Sequence, residues 1–314
     1  MKRIVEVSSL GSYLSLKQGN LVITQDRQEV GRVPIEDLGA LILASQGLTI
    51  TSAALAKLAE LGAITVVAGS DHQPEAVMLP LRANTTRGER IAAQTSAKRP
   101  LEKQLWASLI RTKVLNQAAL LHDLDGVRKL KRLATQVRSG DPDNLEAQAA
   151  RAYWPLVFEQ QADYLPPGPF RRGQAGTWPN NLLNYGYAIL RAITARSLCG
   201  AGLLPEVGVH HHNRYDAFAL ASDVMEPYRP WVDHACRELL PSGPCELDRQ
   251  TKRTLLGIYN DPVQLGDEQT PLFVAIERTA ASLAGAFLAS KSGCGAIEAS
   301  AGLRLPSFLS SHEG

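Results

Sequence analysis

The chain is expected to fold as an α+β protein, with a small β-sandwich-like unit over residues 1–84 and a larger all-helical unit over residues 85–314. Three observations lead there. Up to about residue 80, short β-branched and apolar runs alternate with turn residues. Asn84-Thr85-Thr86-Arg87-Gly88 then breaks both the strand and the helix period. Beyond it, apolar residues recur almost throughout at helical spacing.

In the first unit, Ile4-Val5-Glu6-Val7 is short and branched enough for a strand. Residues 13–16 and 21–24 flank Lys17-Gln18-Gly19-Asn20, the pattern of a hairpin with glycine in its turn. Residues 28–35 suggest an edge strand, because Pro34 has no N–H to give to a ladder. Leu41-Ile42-Leu43 and Ile64-Thr65-Val66-Val67 are apolar enough to be buried strands. Between them, residues 51–62 form a helix with a Thr/Ser start and a closing glycine. Ser70-Asp71-His72-Gln73-Pro74 is turn chemistry, with His72 on a surface loop.

In the second unit, residues 103–115 form a helix with a wide apolar face that takes in Leu105, Trp106, Leu109, Ile110, Lys113 and Val114. Residues 127–138 carry Arg128, Lys129, Lys131, Arg132 and Arg138 with no acid among them. That suits either a solvated helix or one facing phosphates. Ser139-Gly140-Asp141-Pro142 turns the chain into the next helix, with Asp143 or Asn144 as its N-cap. Glu146 stands in the first turn, where the helix dipole favours a carboxylate. Phe170-Arg171-Arg172-Gly173 is a basic loop before a long helix in which Asn181, Asn184 and Tyr185 share a face. Residues 271–290 form a last amphipathic helix, and the tail beyond Ala301 is expected to be loose.

Bulk properties exclude several classes. The net charge of +2 is too small to argue for nucleic acid, so any basic surface must be local. No run of about 18 apolar residues suggests a membrane span, and no signal-peptide core follows Met1. Cys199, Cys236, Cys245 and Cys294 form no C-x-x-C pair, so reduced thiols in a cytoplasmic protein are expected.

Residues 208–230 concentrate chemistry: three histidines (His210, His211, His212), then Asn213, Arg214, Asp223, Glu226 and Arg229. Asp223 and Glu226 share a helix face if the segment is helical, and they would repel unless a cation intervenes. A metal ion is one such cation and Arg229 is another. The flanking apolar residues argue against carboxylates left unpaired. Pro227 allows two geometries, a helix that starts near Ser222 or Asp223, or one kinked between Glu226 and Pro230.

Several motifs in one order carry a family resemblance. They are Val33-Pro34-Ile35-Glu36-Asp37-Leu38, Ile50-Thr51-Ser52-Ala53, Arg99-Pro100-Leu101-Glu102-Lys103-Gln104-Leu105-Trp106, the stretch from Leu145 to Trp154, Asn181-Leu182-Leu183-Asn184-Tyr185-Gly186-Tyr187, and Asp223-Val224-Met225-Glu226-Pro227-Tyr228-Arg229-Pro230. Across nearly its whole length the chain resembles the first CRISPR-associated protein family, the integrase-nuclease of spacer acquisition. The His210-His211-His212-Asn213-Arg214 run looks closest to members from systems with a single-protein effector nuclease.

The resemblance implies a β-rich dimerisation domain and a helical catalytic domain. It implies Glu146, His211 and Glu226 as ligands of Mg²⁺ or Mn²⁺, with Asp223 as an accessory acid. The histidine is placed by its position fifteen residues before the acid, and His210 and His212 keep the register open by one. It implies transesterification of a CRISPR-repeat phosphodiester by the 3′-hydroxyl of a short double-stranded DNA fragment, with no nucleotide cofactor. Implied partners are a second copy, the small second CRISPR-associated adaptation protein in a heterohexamer, and the effector nuclease. Arg128, Lys131, Arg132, Arg171, Arg172, Arg214 and Arg229 would contact phosphates, and Tyr153 and Tyr185 would stack on or orient a strand end. Two other readings compete: a non-catalytic DNA-holding subunit, and a metal-dependent small-molecule hydrolase with zinc-binding histidines, which the basic clusters disfavour.

Overall fold

The structure is a computed structural model that describes residues 2–69, 74–80, 84–168, 170–173, 177–242 and 247–308. His72 and Cys245 fall outside them. The N-terminal strands are β1 (Arg3–Val7), β2 (Tyr13–Lys17), β3 (Asn20–Gln25), β4 (Gln28–Pro34), β5 (Leu38–Leu43), β6 (Thr49–Ile50), β7 (Ile64–Ala68) and β8 (Pro74–Met78), with helix α1 (Ser52–Glu60) between β6 and β7.

The strands form two four-stranded sheets, ordered β1-β5-β7-β8 and β4-β3-β2-β6. β2 and β3 make the expected hairpin, closed at Lys17 and Asn20. Gln18 and Gly19 both take positive φ, 49° and 76°. That is the turn whose twist matches the flanking strands and in which glycine costs least. Among the described residues β4 pairs only with β3, so Pro34 lies on an edge as expected. α1 begins where the Thr51 side chain accepts from Ala54 N–H, and it links the parallel strands β5 and β7.

β5 is buried along its whole length. Leu41 and Leu43 point into a core with Leu14, Leu21, Ile35, Ala54 and Leu58. Ala40 and Ile42, of opposite parity, join the core of the helical region. One strand thus has both faces covered, which accounts for its unbroken apolar run.

The helical region holds α2 (Arg87–Thr95), α3 (Arg99–Ala119), α4 (Leu124–Gln136), α5 (Leu145–Val157), α6 (Asn180–Gly200), α7 (Ala219–Met225), α8 (Arg229–Leu239), α9 (Arg249–Gly257), α10 (Leu272–Lys291) and α11 (Ala296–Ala301). It departs from the expectation in two details. It is not wholly helical, because β9 (Pro262–Leu265), β10 (Glu268–Pro271) and β11 (Pro306–Ser307) form a three-stranded sheet. The tail is not loose as far as Phe308: β11 pairs with β9, and Phe308 stacks on Trp231 with ring centroids 4.0 Å apart. α10 is long and apolar enough to cross a membrane by composition. Here it packs against α2, α6 and α11.

Candidate active site

α3 runs through the centre of the helical region and carries the residue on which the site converges. Its inner face buries Leu105, Trp106, Leu109, Ile110 and Val114, and on that face Lys113 is only 7% exposed. A buried ammonium is costly unless it is paired. The Lys113 Nζ donates to Glu146 Oε1 at 2.6 Å and lies 2.6 Å from Glu226 Oε2. Burial works against its charge, but Glu226 and Glu146 outweigh burial and hold the amine more firmly protonated than a free lysine.

Glu146 arrives from the start of α5. Asn144 is the N-cap, in the left-handed conformation, and accepts from Ala147 N–H. Asp141 accepts from Leu145 and Glu146 N–H at 2.9 and 3.0 Å. Asp143, the other candidate cap, pairs with Arg138. With its N-terminal donors already satisfied, α5 leaves the Glu146 carboxylate free to cross to α3.

Glu226 arrives from an interruption between two helices. α7 already starts at Ala219 and stops at Met225. Glu226-Pro227-Tyr228 is a single 3₁₀ turn, and α8 restarts at Arg229. The interrupted geometry is therefore the one adopted. Asn116 on α3 pins the turn by donating to Pro227 O at 2.9 Å and to Pro306 O at 3.1 Å. Arg229 holds Glu226 Oε1 at 2.8 Å. Burial alone would raise the Glu226 carboxyl, but Arg229 and Lys113 outweigh it and bring it below the usual range.

Asp223 is fully buried and plays a different part. It accepts from Val209 and His210 N–H at 2.8 and 2.9 Å, and its other oxygen lies 2.5 Å from His211 Nδ1. A Cβ at Gly208 would lie 2.3 Å from His211 O and 2.9 Å from Asp223 Oδ2, so only glycine lets the loop fold over the carboxylate. With Nδ1–H donated to Asp223, a neutral His211 carries its lone pair on Nε2. The Asp223 hydrogen bond raises the imidazole's basicity, against burial. His210 instead stacks on Trp106 at 3.9 Å, and His212 contacts Arg99. Of the three histidine rings, that of His211 is the one fixed by Asp223.

The predicted tyrosines do not face a ligand. Tyr153 is fully buried and donates to Asp233 at 2.9 Å, and Tyr185 is 2% exposed and donates to Glu6 at 2.6 Å. Neither can stack on a strand end without unpacking the core. Arg229, expected on phosphate, is committed to Glu226 and lies over the Tyr187 ring. Arg172 lies over the same ring and donates to Asn180 and Asn184, which explains the amides at the start of α6. Tyr187 also bonds Asp233. Arg171 and Arg214 are exposed, as are Arg128, Lys131 and Arg132 along α4, where Arg128 pairs with Asp125.

Among the described residues, no group of three or more His, Cys, Asp or Glu is drawn together closely enough to hold a metal ion. The donor chemistry nonetheless fits a hard divalent ion. Both carboxylates already converge on a cation, the Lys113 ammonium, each with an oxygen 2.6 Å from it.

Sequence reasoning missed Lys113, Asp233 and Tyr187 as members of this network. A lysine on the apolar stripe of α3 was the available signal, since a charge at a core position needs a buried counter-charge.

These features define a class: a two-sheet unit sharing a strand with a helical region in which a buried and a half-buried carboxylate meet at a buried lysine, with an exposed imidazole oriented by a buried aspartate. Residues 5–259 match the family model described as CRISPR associated protein Cas1, and the chain belongs to that family. It is 32% identical over 277 residues to the CRISPR-associated endonuclease Cas1 of Neisseria meningitidis serogroup C (strain 8013), covering 87% of this chain and 88% of that protein. It is 27% identical to CRISPR-associated endonuclease Cas1 2 of Pyrobaculum aerophilum, covering 91% and 99%. Among solved structures, a casposase bound to integration product superposes with TM-score 0.71 at 21% identity, covering 94% and 93%. The Cas1 protein of Thermotoga maritima does so with TM-score 0.68 at 14% identity, covering 91% and 97%. These structures bear on the fold alone.

Proposed function

We propose that the protein is a metal-dependent DNA integrase and endonuclease that inserts short DNA fragments into a CRISPR array. The observation that carries this is the meeting of Glu146 and Glu226, remote in sequence, at one Nζ, beside an imidazole oriented by Asp223. The relatives' name supports the endonuclease part, and the casposase's integration product supports strand joining as chemistry of this fold.

In the reaction, a fragment's 3′-oxygen bonds to a repeat phosphorus as the old phosphorus–3′-oxygen bond breaks. No nucleotide is consumed. Glu146, Glu226 and His211 would hold Mg²⁺ or Mn²⁺, which when bound supplies Lewis-acid polarisation of the phosphoryl oxygen and stabilisation of the leaving oxyanion. Asp223 fixes the His211 ring and its tautomer. Arg229 and Lys113 keep Glu226 ionised within a buried site. Arg171, Arg214 and the exposed face of α4 offer cations to DNA phosphates.

The partner reading includes a second copy, through a β-rich domain ending near residue 84, and the small second CRISPR-associated adaptation protein. A solved Cas6-RT-Cas1–Cas2 complex, whose Cas1-containing chain superposes at TM-score 0.74 and 19% identity, motivates the latter. That superposition covers 98% of this chain and 36% of that one. The deciding experiment is joining of a labelled fragment to repeat DNA with Mn²⁺ and the small partner protein, comparing wild type with Glu146→Ala. Loss of joining with DNA binding retained is expected. Equal joining by both proteins would reject the assignment and favour a DNA-holding role.

A further inference from the structure

We propose that Lys113 is the site's resident counter-ion, occupying the place between Glu146 and Glu226 that a divalent ion takes, so that metal must displace it to bind. The proposal rests on the metal reading above. Two observations carry it. First, Lys113 is buried on a helix whose inner face is otherwise mostly apolar, so its charge has a local purpose. Second, its Nζ lies 2.6 Å from a carboxylate oxygen of each proposed ligand, a place where a second cation would meet strong repulsion.

The arrangement solves a folding problem as well as a binding one. A buried Glu226 and a half-buried Glu146 facing each other repel when no cation lies between them, and breaking a buried ion pair by removing one partner is strongly destabilising. Lys113 supplies that cation before metal arrives. Its unbranched stem has several rotatable bonds through which the charge can be moved once metal takes the oxygens. Lys113 is thus a positioning residue that acts through the two carboxylates and competes with their ligand.

The test is Mn²⁺ titration of the full chain, followed by the loss of the free-ion electron paramagnetic resonance signal, together with thermal melts with and without Mn²⁺. Lys113→Met and Lys113→Gln both remove the charge and keep an unbranched side chain. Each is expected to bind Mn²⁺ at least about tenfold more tightly than wild type and to gain more in Tm on saturation with Mn²⁺. Lys291→Met, on the exposed end of α10, controls for net charge and is expected to match wild type. Equal or weaker Mn²⁺ binding by both Lys113 variants, with wild-type binding intact, overturns the proposal. If wild type takes up no Mn²⁺, the metal reading fails first and the proposal falls with it. If a variant folds only in Mn²⁺, the metal is filling the lysine's place and the proposal stands. If both variants stay unfolded even in saturating Mn²⁺, the lysine is a structural strut and the proposal is rejected.

Discussion

The two cores of the molecule share a strand and are built on opposite terms. The core between the N-terminal sheets buries Leu14, Leu21, Ile35, Leu38, Leu41 and Leu58 and no charged side chain among the described residues. The helical core, on the other face of β5, buries Lys113, Asp223, Glu226 and Asp233. Apolar burial stabilises the first at roughly 1.5–3 kcal/mol per large side chain. The second gives up part of that gain to remove charges from water, and recovers it only where each charge finds a partner. A core that serves folding alone needs no such partners, so the charged one is where chemistry is to be sought.

The sharpest break of this comparison sets one residue from each core side by side. Glu226→Gln is expected to lower strand joining by about a thousandfold, because an uncharged amide can neither hold a divalent ion as well nor balance Lys113 and Arg229. Leu41→Ala is expected to lower unfolding free energy by about 2–5 kcal/mol while leaving joining per folded molecule unchanged. Denaturant melts and single-turnover joining on both variants separate the two effects. Loss of joining by folded Leu41→Ala would erase the division drawn here.

A finer test uses Asp233. Burial raises its carboxyl to about 6 from an ordinary 3.8, against hydrogen bonds from Tyr187 and Tyr153 and the charges of Arg229 and Lys113. A carboxyl raised in the folded state binds its proton more tightly there than when unfolded. Stability from this group is therefore greatest in acid, declines as pH rises from about 4 to 6, and is flat above. The swing is on the order of 3 kcal/mol. Asp233→Asn should lack that decline, so the stability difference between wild type and variant changes across this window and not above it. A constant difference from pH 4 to 8 would refute the assignment. The smallest effect is expected on α4. Replacing Lys131 and Arg132 together by Ala should weaken duplex binding a few-fold and make it less steeply dependent on salt, with melting temperature unchanged.

Much of the fold was legible because its signals are local. The hairpin turn, the Thr51 cap, the edge proline and the doubly covered β5 each declare themselves within a few residues. Glu146, His211, Asp223 and Glu226 were singled out through motif order and spacing, and of the three histidine rings it is that of His211 that meets Asp223. What was not legible depends on contacts between distant elements. Tyr153 and Tyr185 look like stacking residues in a one-dimensional reading, yet Asp233 and Glu6, remote in sequence, claim their hydroxyls. Arg229 looked available to phosphate until Glu226 and Tyr187 were seen to hold it. The tail beyond Ala301 looked loose because nothing in its composition reveals that Asn116 and Trp231 wait for Pro306 and Phe308.

β5 has one more implication. Its neighbouring residues Leu41 and Ile42 serve opposite cores, so a one-residue insertion or deletion within it would exchange the two sets of side chains at a stroke. Damage there cannot be confined to one half of the molecule. The strand behaves as a shared wall between two rooms, and moving it by one brick spoils both.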